Sequence, residues 1–356
     1  MHIITERIIQ MKPTVSKRKN KLLKVLKVFG LSMLILAVSL SVIGFTYERI
    51  SYKNVNRNYP PPGKMMDING HKLHVNIMGS VKDNAVPVVI ESGTGNFSLD
   101  WSEVQQELSK YTQVVTYDRP GNGWSEPSTS EFSTQSELKD LKTIIDQTGI
   151  KKPVILIGHS AGGLYTRLFE QNYPDYVAGM ILVDARNEYF AEKLPEFNKK
   201  FFQTQGQDAN KLMSMFGLVR FLGVNFLPSN FPRNISKTEY VNVHWDQDFF
   251  TAVEQEIKEI PNAEKLLTPT RSLGDMPLVV ITAGGNHIPV VPLGFSKEEE
   301  KVVNETWQQS QKWLATLSSN SEYIAVPNAS HAIMYDDPEI IVTSVVNMLV
   351  KLKMNR

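Results

Sequence analysis

Residues 153–163 read Pro153-Val154-Ile155-Leu156-Ile157-Gly158-His159-Ser160-Ala161-Gly162-Gly163. A short apolar strand runs straight into a G-x-S-x-G turn, and the following pattern, 161–172, predicts a helix that Pro174 stops. A serine at such a corner sits on strained backbone and projects its hydroxyl beyond the end of the strand, while the flanking glycines let the chain turn sharply. The competing reading is a glycine-rich turn that holds phosphate at a helix N-terminus. It would call for Gly-x-Gly-x-x-Gly or a Walker lysine, and neither is present. Ser160 is the candidate nucleophile.

Working outward, the same alternation repeats. Segments 87–91, 113–117 and 178–183 are continuous apolar strands, 99–110 and 138–148 have helical spacing, and strands resume at 278–282 and 323–327. Continuous apolar strands separated by helices predict a mostly parallel sheet buried on both faces. Before it, 64–68 and 72–78 flank Asn69-Gly70, a hairpin signal. Asp337 and Pro338 mark the start of a last helix with Ile341, Val345, Met348 and Leu349 on its core side. Residues 187–272 interrupt the alternation with helical patterns and no convincing strand, which predicts a cap over the ligand-binding edge of the sheet.

A serine nucleophile needs a base, and the chain has seven histidines. His331 follows the final strand in Pro327-Asn328-Ala329-Ser330-His331, so its loop would reach the edge that carries Ser160. His2 lies in the tail, His71 and His74 in the hairpin, His159 beside the nucleophile and His244 in the cap. His287 follows a strand and stays open as a candidate.

Segments 64–184 and 275–348 resemble the α/β-hydrolase superfamily, in its esterase and lipase-like branch. The resemblance rests on Glu91-Ser92-Gly93-Thr94-Gly95, on Tyr117-Asp118-Arg119-Pro120-Gly121-Asn122-Gly123-Trp124-Ser125, on the serine turn and on Asn328-Ala329-Ser330-His331. It implies an α/β-hydrolase fold and an oxyanion hole made by the backbone N–H groups of Thr94 and Ala161. Asp118 and Arg119 would form an ion pair bracing their loop. The acid departs from the family pattern, because Ala283-Gly284-Gly285-Asn286-His287 holds no carboxylate where relatives usually have one. Either Asp184, at the end of the preceding strand, orients His331, or Asn286 does so without charge. Asp184 is favoured, since a buried carboxylate stabilises an imidazolium better.

The N-terminus carries a different signal. Residues 1–27 hold eight Lys and Arg against the single acid Glu6, and 28–47 is an uncharged apolar run. Twenty residues of helix span roughly the 30 Å hydrocarbon core of a bilayer. The run is too long for a signal peptide and lacks a small-x-small exit, so it predicts a retained anchor. The basic flank predicts a cytoplasmic tail (1–27), with the catalytic body outside the membrane. A Pro-rich linker (48–63), including Tyr59-Pro60-Pro61-Pro62-Gly63, would join anchor to hydrolase domain (64–356).

Composition removes other classes. The absence of cysteine excludes disulfides, thiol catalysis and cysteine-bound metals. Beyond residue 27 acids outnumber bases, which argues against nucleic acid as a partner. The expected chemistry is ester-type acyl transfer to water, with no metal or organic cofactor and a small-molecule substrate. An elbow serine speaks against the aspartate chemistry of similar dehalogenases and epoxide hydrolases. A peptidase for N-terminal residues, with Glu188, Glu192 or Glu196 binding the amine, and a non-catalytic surface binding protein are the alternatives. The stretch 212–227, crowded with Leu, Met, Val and Phe around Arg220, is expected to wall a lipophilic, short- or medium-chain acyl site.

Overall fold

The computed structural model describes residues 3–81, 85–232, 234–267, 272–285 and 287–354, with side chains from Lys19 onward. It opens with one unbroken helix, α1 (Ile3–Asn58). The section Lys19–Asn58 is long and apolar enough to cross a membrane, and its most apolar window is not buried against the protein. The linker expected over 48–63 is corrected by this helix. Nothing from Glu48 to Asn58 breaks helical geometry, so α1 ends only where Tyr59, preceding Pro60, is pushed out of the helical region.

Eight strands follow, interleaved with helices: β1 (Lys64–Ile68), β2 (His71–Met78), β3 (Val88–Glu91), α2 (Ser102–Leu108), β4 (Val114–Tyr117), α3 (Thr134–Gln147), β5 (Val154–His159), α4 (Gly162–Asn172) and β6 (Val177–Val183). Six short to medium helices come next: α5 (Glu188–Lys193), α6 (Pro195–Gln203), α7 (Asp208–Met215), α8 (Leu218–Leu222), α9 (Lys237–His244) and α10 (Gln247–Leu266). No strand occurs among the described residues of that insertion. The chain returns with β7 (Leu278–Ala283), α11 (Lys297–Ala315), β8 (Ser321–Val326), α12 (Ile333–Asp336) and α13 (Pro338–Met354).

The strands form one sheet in the order β1-β2-β4-β3-β5-β6-β7-β8. β2 pairs antiparallel with β1 and β4, and all later pairings are parallel. The β1–β2 turn takes positive φ at both Asn69 and Gly70, as a tight hairpin requires. Along β5, Val154 and Leu156 pack with α3 and α4, whereas Ile155 and Ile157 pack with α2 and α13. A strand covered on both faces has no polar side, which is why its apolar run is continuous.

From β3 the chain first places β4 on one side and later β5 on the other. The crevice opened by such a switch lies beyond the C-terminal strand ends, where open α/β sheets bind ligands. Register puts Glu91 beside Gly158 and His159 beside Val183, so the segments following β3, β5 and β6 leave the sheet together.

Candidate active site

Ser160 leaves β5 with φ at 51°, a left-handed conformation that costs a non-glycine residue energy. The glycines around it serve close packing. A Cβ at Gly93 would lie 2.9 Å from that of Ser160, and one at Gly163 would overlap Ala185. One at Gly158 would come within 2.9 Å of Gly163 Cα, and one at Gly162 would strike the carbonyls of Glu91 and Ser92. The strain therefore sits on the serine, and the glycines let β3, β5 and α4 converge beneath it.

His331 comes from the loop between β8 and α12. That loop is held by Asp336, whose Oδ2 accepts from Ser330 N (2.7 Å) and Ser330 Oγ (2.6 Å). His159 adds a second tether: its Nε2 donates to the His331 carbonyl at 2.9 Å, and the two rings lie 4.8 Å apart. Burial, reinforced by the charge of His331, pushes the His159 imidazole down to about 3, so it stays neutral. The residue preceding the candidate nucleophile thus steadies the candidate base.

Asp184 ends β6, fully buried and at φ 41°, a conformation that Asp tolerates better than most residues. Its Oδ1 accepts from Thr282 Oγ1 (2.8 Å), Ala283 N (3.1 Å) and Trp307 Nε1 (3.0 Å). Its Oδ2 accepts from His331 Nδ1 at 2.6 Å and His287 Nε2 at 3.0 Å. Burial alone would raise this carboxyl. The hydrogen bonds from His287 and His331, with their charges, outweigh it and hold Asp184 far below the usual carboxylate range.

His287 is the residue that sequence reasoning left unresolved. Its Nδ1 faces the Gly285 carbonyl at 3.3 Å while Nε2 faces Asp184, so both nitrogens meet acceptors. Burial works against its charge, but the hydrogen bond and charge of Asp184 prevail and raise it. The ligand atoms of Asp184, His287 and His331 lie within 4.8 Å of one another, a spacing a metal ion could use. Both imidazoles already donate to the carboxylate, however, and ligation would displace those hydrogen bonds. Asn286, the alternative orienter, lies outside the described residues.

Thr94, Ser160, Ala161, His287 and His331 line one cavity of about 470 Å³. Its apolar wall comes from Phe197, Phe201 and Phe202 of α6 and from Val253 and Ile257 of α10. The expectation that 212–227 forms this wall is corrected, because none of those residues lines the cavity. Glu188, Glu192 and Glu196 do not line it either, and Glu188 is held by Arg167 at 2.6 and 2.7 Å. The amine-binding role considered for them finds no geometry here.

The expected Asp118–Arg119 pair is also corrected. Neighbouring residues on an extended turn point apart, and each side chain meets its own partners. Asp118 accepts from His74 Nδ1 (2.8 Å), Ser98 N (2.8 Å) and Trp124 N (3.1 Å). Arg119 donates to Glu91 (2.5 Å), to Glu256 of α10 (2.9 and 3.0 Å), and to the carbonyls of Ser92 and Gly93 (both 2.7 Å). Arg119 therefore fixes the backbone just before Thr94.

The comparisons agree with this architecture. A family model described as alpha/beta hydrolase fold matches residues 86–338. The uncharacterized protein YqjL of Bacillus subtilis (strain 168) is 21% identical over 264 residues, covering 72% of this chain and 81% of that protein. Among solved structures, the Cif epoxide hydrolase from Acinetobacter nosocomialis superposes with a TM-score of 0.63 at 18% identity, covering 86% of this chain and 96% of its own. A thermophilic esterase from Thermogutta terrifontis gives a TM-score of 0.56 at 19% identity, covering 82% and 98%. At these identities the solved structures speak for the fold alone. With more than half of its length matched by the family model, the chain belongs to the alpha/beta hydrolase fold family.

Proposed function

We propose that this protein is a serine hydrolase that cleaves a lipophilic ester through an acyl-enzyme on Ser160. The observation that carries the reading is the 2.6 Å bond between Asp184 Oδ2 and His331 Nδ1. It directs the proton to Nδ1 and leaves Nε2 with a lone pair, on an imidazole that shares its cavity with Ser160.

In this mechanism Ser160 Oγ attacks the ester carbonyl as His331 Nε2 takes its proton. The backbone N–H groups of Thr94 and Ala161 receive the oxyanion, an interaction worth a few kcal/mol at each donor. Collapse expels the alcohol, which carries away the proton from His331. Water then attacks the acyl group with His331 again as base, releasing the acid and restoring Ser160. Asp184 stays ionised and steadies the imidazolium. An apolar wall of phenylalanines favours an acyl chain over a charged substrate. Epoxide hydrolases share the fold, and the serine at the elbow favours acyl transfer over their chemistry.

Helix α1 anchors this machinery in a bilayer, with the basic tail cytoplasmic and the body on the outer face. The decisive experiment compares the full chain with Ser160→Ala. Fluorophosphonate labelling and hydrolysis of p-nitrophenyl esters should both vanish in a variant of unchanged Tm. Persistent hydrolysis would remove Ser160 from the mechanism. Protease added to intact cells should release the body, and protection until lysis would reverse the orientation.

A further inference from the structure

The stretch 212–227 does not line the cavity, and its place in the fold suggests another use. Leu212, Met213, Leu218, Phe221, Leu222 and Phe226 are all exposed, Phe221 at 75% and Phe226 at 73%. Leu218, Phe221 and Leu222 share one face of α8 through their three- and four-residue spacing. The only charge in the stretch is Arg220, and it is turned inward. Its guanidinium donates to Glu48 of α1 at 2.7 and 2.8 Å and to the Asn242 carbonyl. An exposed face this apolar and free of charge is uncommon on a surface bathed only in water.

Its depth is set by α1. A Cβ at Gly44 would collide with the Phe216 carbonyl, and one at Gly217 would come to 2.8 Å from the Tyr47 ring. Gly44 and Tyr47 lie in the last turn of the apolar run 28–47, where about 30 Å of helix ends at the bilayer surface. The Phe216-Gly217 turn therefore touches α1 at the membrane interface. Tyr52 extends the same docking by donating to Asp248 of α10 at 2.6 Å.

We propose that the exposed apolar face of α7 and α8, extended through Phe226, is seated in the lipid leaflet from which α1 emerges. The proposal rests on α1 being a membrane anchor and adds a second, lateral contact between body and bilayer. Apolar side chains standing free in water would enter the acyl region, and continuity with α1 selects lipid as their occupant. Gln205 and Gln207, half-buried in the cavity wall, immediately precede α7. The seat thus brings the part of the cavity wall that holds Gln205 and Gln207 close to the leaflet, and entry on that side would let a lipophilic ester pass from the membrane without crossing water.

The chain contains no cysteine, so a single introduced cysteine can carry a nitroxide spin label. Full-length Phe221→Cys and Phe226→Cys are labelled in phosphatidylcholine vesicles, with Val38→Cys in α1 and Lys312→Cys on α11 as references. Collision with oxygen and with a soluble nickel chelate is then measured. Positions 221 and 226 are expected to give an oxygen-to-nickel ratio several times that at 312, approaching that at 38. A ratio equal to that at 312, with 38 still lipid-like, would overturn the seating and leave the anchor intact. A water-like ratio at 38 would overturn the anchor and the seating together. Low collision with both reagents at 221 and 226 would mean protein covers the face, and would also overturn it. Retained fluorophosphonate labelling in each variant checks its fold.

Discussion

The pairs His74–Asp118 and His331–Asp184, each built on a fully buried carboxylate, differ in what the second ring nitrogen meets. His74 donates from Nδ1 to Asp118 at 2.8 Å, and His331 donates from Nδ1 to Asp184 at 2.6 Å. In the first pair Nε2 accepts from the Gly63 N–H at 3.1 Å, and neither side chain has any exposure. In the second, no hydrogen bond to Nε2 forms among the described residues, and the imidazole side chain is 41% exposed, in the cavity that holds Ser160. An Asp–His bond fixes a tautomer in both places. Of these two pairs, only the second has, among the described residues, an imidazole with an unbonded nitrogen in the cavity that holds Ser160, and so is open to chemistry.

The sharpest way to break this contrast is to remove each imidazole in turn. We expect His331→Ala to lower kcat/KM by three or more orders of magnitude, roughly the cost of losing a triad member. It should give the smaller change in Tm, because Asp184 keeps the bonds from His287, Trp307, Thr282 and Ala283. His74→Ala should do the reverse. Stripping a partner from a buried carboxylate costs about 3–5 kcal/mol, equivalent to a fall in Tm on the order of 10 °C, while kcat/KM per folded molecule stays within a few-fold. Equal kinetic losses in both variants would dissolve the distinction.

The aspartates give the next test. Asp184→Asn should cost about 10⁴ in turnover by supplying the wrong donor to His331 Nδ1, and Asn286→Ala only a few-fold. Asp118→Asn should act through stability, because burial, which would raise Asp118, is outweighed by its bonds with His74 and Ser98. A large kinetic loss at Asn286 with none at Asp184 would move the orienting role to Asn286.

A smaller effect tests the asymmetry at Asp184, which bonds two imidazoles where Asp118 bonds one. Because Asp184 raises His287 against the pull of burial, the stabilisation it provides is complete below the ordinary histidine range near 6.5. It fades as pH climbs through the raised folded value. The Tm deficit of His287→Gln should therefore be largest at pH 6 and shrink by pH 9. A deficit independent of pH would mean His287 serves by packing alone.

How far the residues spoke for themselves depended on the range of the interaction. The parallel strands, the Asn69-Gly70 hairpin and the Asp337-Pro338 helix start follow from local pattern, and the structure contains each of them. Ser160 and His331, singled out from motif and chain order, and Thr94 and Ala161, implied by the family resemblance, line one cavity. Side-chain direction was beyond such reading. Whether Asp118 faces His74 or Arg119 depends on tertiary partners, as does the outward turn of Phe221. His287 and Trp307 reach Asp184 only after β7 and α11 are assembled. Helix α11 did carry a readable local signal, since Ser296 and Glu299 form a capping box at its start. The extension of α1 to Asn58 was equally open to reading, because neither Pro nor Gly occurs between Glu48 and Pro60.

Arg119 limits how the enzyme can breathe. Its guanidinium ties the carbonyls before Thr94 to Glu256 of α10, so that part of the insertion belongs mechanically to the floor of the site. Lifting α10 would separate a buried ion pair at about 3–5 kcal/mol, so such an opened form would be present in fewer than about one molecule in a hundred. Helix α6 makes no ion pair with the body among the described residues. It is held by Asn198 Oδ1 accepting from Arg186 at 2.6 Å, by Lys200 donating to the Gly294 carbonyl, and by ring contacts of Phe197 with Phe190 and Phe295. Its displacement therefore costs less than separating the Arg119–Glu256 pair. Admission of substrate then falls to the α6 side of the cavity. Amide hydrogen exchange faster in α6 than in α10 is the expected trace of a door hung on one side only.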